Sequence, residues 1–335
     1  MTPSVRITTP SRLHFGLLRF SQESGPSYGG LGMMIDRPRV EVELSAADRW
    51  SVSGPYGERA LELARRSLQS CSPSTIRAVK VDVRAAPAPH SGLGTGTQLA
   101  LAIAAGMRQL CQAPPLEIER LVTSVGRGRR SAVGSHGFQL GGLIWEEGRR
   151  PGQLLSELKR RVEVPTDWRI VLVTMPHSEG LSGEGERRAF ESLPPVPTDV
   201  TCQLTQLAEE QILPAAEQQD FDTFGEAVFQ YGRLAGSCFA CLQGGPFASP
   251  QIAAGVHRMR ELGVRGVGQS SWGPTLFAFA ADENSAADLI DRFAAQEEFA
   301  DAQITCTPPN NGGAFKTNVV DRVYGQENRT GCKIQ

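Results

Sequence analysis

The run His90-Ser-Gly-Leu-Gly-Thr-Gly-Thr-Gln98 constrains this chain more than any other stretch. It follows Val79-Lys-Val-Asp-Val83, whose alternation predicts a strand, and precedes Leu99-Ala-Leu-Ala-Ile-Ala-Ala105, a strong helix former. A glycine-rich turn that opens a helix leaves backbone N–H groups at the positive end of the helix dipole. Such a turn is a cradle for phosphate. Ser91, Thr95 and Thr97 add hydroxyl donors, and Gly92, Leu93, Gly94, Gly96 and Gln98 complete the candidate loop. The same residues also fit a turn that only caps a core helix.

At 335 residues the chain is too long for one ordinary core, so two domains are expected. The polar, broken segment from Gly148 to Asp167 is the preferred boundary. It divides residues 1–160 from residues 166–310 and leaves 311–335 as a loose tail. The second half alternates strands with long helices near Asp199–Gln219, Phe221–Leu242, Ser249–Leu262 and Glu283–Gln296. That pattern predicts an α+β fold rather than a doubly wound sheet. The stretch Phe138 to Trp145 reads as a glycine-rich loop leading into a strand, and Gly180 to Arg188 as a mobile loop.

The net charge of −2 supplies no field for nucleic acid, and no apolar run is long enough for a membrane span. The first ten residues lack the apolar stretch of a signal peptide, so a cytoplasmic enzyme is expected. Seven scattered cysteines argue against a disulfide framework, and Cys238 and Cys241 are expected to be buried free thiols. A homodimer is the ordinary expectation for a soluble enzyme.

Other residues suggest a site. Arg12 and His14 alternate about Leu13 on a predicted strand and so share a face. Arg127, Arg129 and Arg130 crowd a glycine-rich turn, and guanidinium forks match phosphate or carboxylate oxygens. A solvated basic turn is the plain alternative.

Five blocks taken in order resemble one family. They are Ser11-Arg-Leu-His-Phe-Gly16, the His90–Gln98 loop preceded by Pro87 and Pro89, Gly126-Arg-Gly-Arg-Arg-Ser131, Phe138-Gln-Leu-Gly-Gly142 and Gln269-Ser-Ser-Trp-Gly-Pro274. Together they resemble the GHMP kinase superfamily, and within it the β-ribofuranosylaminobenzene 5′-phosphate synthase branch of methanopterin biosynthesis. The resemblance implies an S5-like N-terminal domain and a ferredoxin-like C-terminal domain. It implies that phosphoribosyl pyrophosphate reacts with 4-aminobenzoate, or its hydroxy analogue, to give a C-riboside phosphate, carbon dioxide and pyrophosphate, with magnesium. On that reading the loop holds phosphate, and Arg12, His14 and His90 serve the chemistry. Ser270 and Ser271 donate to phosphate, and Trp272 stacks on the aromatic acid. Asp36 and Glu146 are the candidate magnesium ligands. Thr95-Gly96-Thr97 departs from the Ser-Ser-Ala step of the kinases, which favours the synthase. A small-molecule kinase and a metabolite-binding protein are the alternatives on the same scaffold.

Overall fold

A computed structural model describes residues 3–20, 25–71, 75–176, 193–318 and 332–333. The first half is built on two long strands, β1 (Ser4–Leu17) and β2 (Gly30–Ala47), paired antiparallel. Irregularities between Thr9 and Ser11 and between His14 and Gly16 bend β1 near its end. One end of β2 pairs with β4 (Ala78–Ala85), which also carries the short parallel edge strand β3 (Ser51–Ser53). Its other end pairs with β5 (Leu143–Glu146), and β5 pairs with β6 (Leu158–Val162). Between these strands run α1 (Gly57–Gln69), α2 (Thr95–Leu110), α3 (Ile118–Ser124) and α4 (Val133–Leu140).

Inward residues of β1, β2 and β4, among them Ile7, Val42 and Val81, meet Leu99, Ile103 and Met107 of α2. The apolar, alanine-rich sequence of α2 suits a helix pressed flat against a sheet.

The second half is an antiparallel sheet in the order β10–β7–β9–β8, made of β7 (Arg169–Thr174), β8 (Val267–Gln269), β9 (Thr275–Ala280) and β10 (Gln303–Thr307). Two-residue periodicity gives it two buried faces. Val171, Val173, Leu276 and Ala278 pack against α8 (Pro250–Glu261) and α9 (Glu283–Ala294). Ile170, Leu172, Phe277 and Phe279 point the other way, toward α5 (Thr198–Gln206), α6 (Leu213–Gln218) and α7 (Phe221–Ser237). A single π-turn, Leu207–Ile212, joins α5 to α6. This last cluster also takes in Leu13, Leu31 and Trp145 of the first sheet, so one core is shared between the halves.

Four readings of the sequence need correction. The 148–167 segment is not merely a linker, because β6 extends the first sheet there. The glycine-rich start of Phe138–Trp145 belongs to helix α4. The predicted tail contains β11 (Phe315–Asn318), which pairs with β1 from Val5 to Thr8, and the two-residue β12 (Cys332–Lys333). The predicted mobile loop at 180–188 lies outside the described residues. Cys238 is half-buried and Cys241 exposed, so the two are not the buried pair expected. No described helix is long and apolar enough to cross a membrane.

Truncation after Gly313 removes β11 and strips Ala314, which is fully buried and donates its N–H to the Phe138 carbonyl. The expected result is a lower urea midpoint, with a loss of roughly 2–4 kcal/mol from the ladder bonds and buried surface. An unchanged midpoint would show that the strand contributes nothing.

Candidate active site

The two halves enclose a cleft of about 1120 Å³. Its floor is the turn before α2. Gly94 adopts φ 74°, a left-handed conformation open to glycine, and its carbonyl accepts from the N–H groups of Thr97 and Gln98. The amides of Thr95 and Gly96 precede the first helical bond and face the cleft end of the dipole. Ser91 lines the cleft, and its buried hydroxyl meets no partner among the described residues. A buried hydroxyl of that kind calls for a ligand oxygen.

Arginines surround this turn. A Cβ built on Gly96 would lie 3.1 Å from Arg59 Nη2 and 3.2 Å from Arg127 Nη2, so both guanidinium groups hang over the helix N-terminus. Arg12 donates from Nη1 to the Gly92 carbonyl at 3.0 Å, and its backbone N–H donates to Leu93 at 2.9 Å. Arg129, Arg130, Arg149 and Arg233 also line the cleft, whose described walls contain seven arginines and neither aspartate nor glutamate. Seven cations beside a positive helix end favour the entry of a polyanion.

The loop between β8 and β9 closes the site from the second half. Ser270 Oγ donates to the Gly92 carbonyl at 2.8 Å and accepts the His14 N–H at 3.1 Å. Ser271, at φ 57°, donates its N–H to the His14 carbonyl. Trp272 lines the cleft and meets the edge of Phe239 at 4.9 Å between centroids. Phe229, Phe247 and Phe277 add apolar wall beyond it. The cleft is therefore cationic at the α2 end and aromatic toward α7 and the β8–β9 loop.

Most sequence candidates meet here: Arg12, His14, His90 to Thr97, Arg127, Arg129, Arg130, Ser271 and Trp272 all line the cleft. Four candidates do not act as supposed. Gln98 is fully buried and donates to the Gly134 carbonyl, tying α2 to α4. Ser270 is also buried, and its hydroxyl is engaged by the Gly92 and His14 backbones. Asp36 faces Arg37 and Asn310, away from the cleft. Glu146 is wholly buried, with both oxygens accepting the Ala132 N–H and one also accepting the Ser131 hydroxyl. Glu146 pairs with Gly30, and Asp36 lies six positions farther along β2, roughly 20 Å away at the rise of a strand. These two acids cannot share one cation. No cluster of three or more metal-ligating side chains occurs among the described residues.

Sequence reasoning missed Arg59, Arg149, Arg233 and Ser131. Arg59 and Arg233 sit on exposed helix faces, where arginine needs no explanation. Ser131 stood at the end of a quoted motif, and only the fold reveals its partners.

Burial and the nearby Arg12 charge hold His14 well below its ordinary value of 6.5. The folded state keeps this ring neutral, while the unfolded chain protonates it as the pH falls past 6.5. Stability from this group is whole above that pH and declines below it, by up to about 1.4 kcal/mol per pH unit. Burial raises Glu146 above 4.5 despite its hydrogen bonds, and the sign is opposite: its contribution is whole below 4.5 and is lost as the pH rises through the raised value. The expected result is that His14→Gln flattens the fall of the urea midpoint between pH 6.5 and 5. Parallel slopes for variant and parent would contradict the assignment.

Residues 212–298 match the family described as GHMP kinases C terminal. A homoserine kinase from Cytophaga hutchinsonii superposes with a TM-score of 0.67 over 94% of this chain and 97% of its own, at 16% identity. Residues 212–298 thus carry the C-terminal domain of the GHMP kinases, and the chain as a whole shares the fold of these kinases. Another member of this superfamily's fold, the mevalonate pyrophosphate decarboxylase of Streptococcus pyogenes, gives 0.65 at 13% identity, over 93% and 98% of the two chains. Sequence relatives narrow the branch. The beta-ribofuranosylphenol 5′-phosphate synthase of Methanothermobacter thermautotrophicus is 28% identical over 92% of this chain and 97% of its own length. That of Methanocaldococcus jannaschii is 24% identical over 92% and 98%. The GHMP cradle at the start of α2 is thus set in a chain whose full-length relatives are synthases.

Proposed function

We propose that this chain joins phosphoribosyl pyrophosphate to a para-substituted benzoate, releasing carbon dioxide and pyrophosphate and leaving a ribofuranosyl arene 5′-phosphate. The observation behind this reading is the cleft itself, with seven arginines over a helix N-terminus at one end and Trp272 and phenylalanines at the other. The relatives' name specifies a phenol product, which favours 4-hydroxybenzoate over 4-aminobenzoate as the acceptor.

In this reaction the bond from ribose C1 to pyrophosphate breaks, and negative charge grows on the leaving group. The Thr95 and Gly96 amides are fixed by the fold before the substrate arrives, so they stabilise that charge without reorganising, and Arg59 and Arg127 stand beside them. Arg12, Arg129, Arg130, Arg149 and Arg233 line the same cleft and can donate to the 5′-phosphate and the benzoate carboxylate. The aromatic wall holds the ring against C1, and its apolar surface keeps water from the electron-poor sugar. The ring carbon bearing the carboxylate attacks C1, and carbon dioxide departs. The described walls of the cleft carry no carboxylate to hold magnesium.

A kinase on this scaffold needs a group to activate an acceptor hydroxyl and a cation beside the triphosphate. The described cleft walls lack any carboxylate for either task.

The test is release of labelled carbon dioxide from carboxyl-labelled 4-hydroxybenzoate, with and without phosphoribosyl pyrophosphate. Donor-dependent release is expected. No release, with both compounds bound, would leave a binding protein.

A further inference from the structure

Behind His14 runs a buried hydrogen-bonded chain that the phosphate cradle does not use. Glu146, at the end of β5, accepts the Ser131 hydroxyl at 2.6 Å. Ser131 Oγ lies 2.9 Å from His14 Nε2 and also accepts the Val133 N–H at 3.2 Å. A hydroxyl has one proton to give. With Glu146 as the carboxylate, that proton is committed to it and Ser131 can only accept from the imidazole. Nε2 must then bear the hydrogen, and Nδ1 the lone pair. No hydrogen bond from the described residues engages Nδ1, and His14 is one of the residues that line the cleft.

We propose that Ser131, backed by Glu146, is a positioning residue that presents His14 Nδ1 as proton acceptor to the 4-hydroxyl of a phenolic acceptor. The proposal rests on the synthase reading and deepens it by naming what selects a hydroxybenzoate. The attacking ring carbon is para to the ring oxygen, so loss of the hydroxyl proton drives electron density onto that carbon. An amino group at the same position already donates its lone pair and gains nothing from a base.

The step balances. Nδ1 takes the hydroxyl proton as the ring carbon bonds to C1 and pyrophosphate leaves with the C1–O electron pair. The resulting dienone still bears the carboxylate. Its C–C bond to the carboxylate breaks, those electrons restore the aromatic ring, and carbon dioxide leaves. The phenolate recovers its proton from the His14 imidazolium. Burial and Arg12 keep the resting ring neutral, so the lone pair is available at neutral pH.

Two measurements on the full chain test this. The first is long-range nitrogen–proton NMR of protein labelled at its five histidines, with His14 assigned through His14→Gln. A protonated Nε2 is expected in the parent, and a protonated Nδ1 would overturn the proposal. The second is the ratio of turnover with 4-hydroxybenzoate to that with 4-aminobenzoate. Ser131→Ala is expected to lower this ratio at least tenfold, and Ser131→Thr, which keeps the hydroxyl, to restore most of it. Equal losses with both acceptors would overturn the role. If the parent makes no product from either acceptor, the synthase reading has failed, and the proton-transfer role fails with it whichever tautomer is seen.

Discussion

Arg59→Met combined with Arg127→Met lowers kcat/KM for phosphoribosyl pyrophosphate by about 10²–10⁴ and leaves the unliganded protein slightly more stable. The loss follows from two charge-assisted contacts to the leaving group, each contributing roughly 1.5–3 kcal/mol. The gain follows from their setting. Both guanidinium groups lie within van der Waals reach of Gly96, at the positive end of α2, and no acid lines the described cleft. Methionine keeps the aliphatic bulk and removes the mutual repulsion, which at this partly solvated site is an effect of about 0.5–1 kcal/mol. Steady-state kinetics and urea unfolding of the same preparation check both halves. A variant that loses activity and stability together would show that these arginines hold the fold, not the substrate. Added salt should raise KM for the donor in the parent far more than in the double variant, because screening acts on the charges that the variant lacks.

Gly92→Ala is expected to cost about 2–5 kcal/mol and to abolish turnover. At φ +83° an L side chain is strained by about 1–2 kcal/mol. Its Cβ would sit 2.2 Å from the Ser270 carbonyl oxygen and 3.0 Å from Gly273 Cα. Both contacts are with backbone, so no side chain can turn aside, and the overpacking adds about 1–3 kcal/mol. The displaced segment is the one that joins the halves: Gly92 O accepts from Ser270 Oγ and from Arg12 Nη1. Pushing the two loops apart therefore separates the phosphate end of the cleft from its aromatic end. Urea unfolding and turnover measured on one sample test this. Full activity with an unchanged midpoint would mean that the loops are not in the contact described.

The parts of this site that could be read from sequence are those built locally. The His90–Gln98 turn and α2 are contiguous, and a strand, a glycine run and a helix former announce themselves in about 30 residues. Arg12 and His14 share a face because β1 alternates. What could not be read depends on partners distant in sequence. His14 and Ser131 are 117 positions apart, and Arg59 and Arg233 reach the cleft from helices whose exposed faces look ordinary. Strand β11 is four residues long and takes its register from β1, at the other end of the chain. Helix α4 was hidden by Gly134 and Gly137, which argue against a helix on local propensity. At Gly137 the reason is packing: a Cβ would lie 2.2 Å from Met34 Sδ. Glu146 looked like a cation ligand because a carboxylate's role depends on whether solvent or Ser131 and Ala132 meet it.

The proposed reaction forms a carbon–carbon bond between ribose C1 and the arene. It is tested most directly by carbon NMR of the product formed from C1-labelled phosphoribosyl pyrophosphate and ring-labelled 4-hydroxybenzoate. A one-bond coupling between the two labels, with one carbon dioxide and one pyrophosphate released per product, is the expected result. A product whose labels are joined through oxygen or nitrogen, or a phosphorylated acceptor that retains its carboxylate, would contradict it.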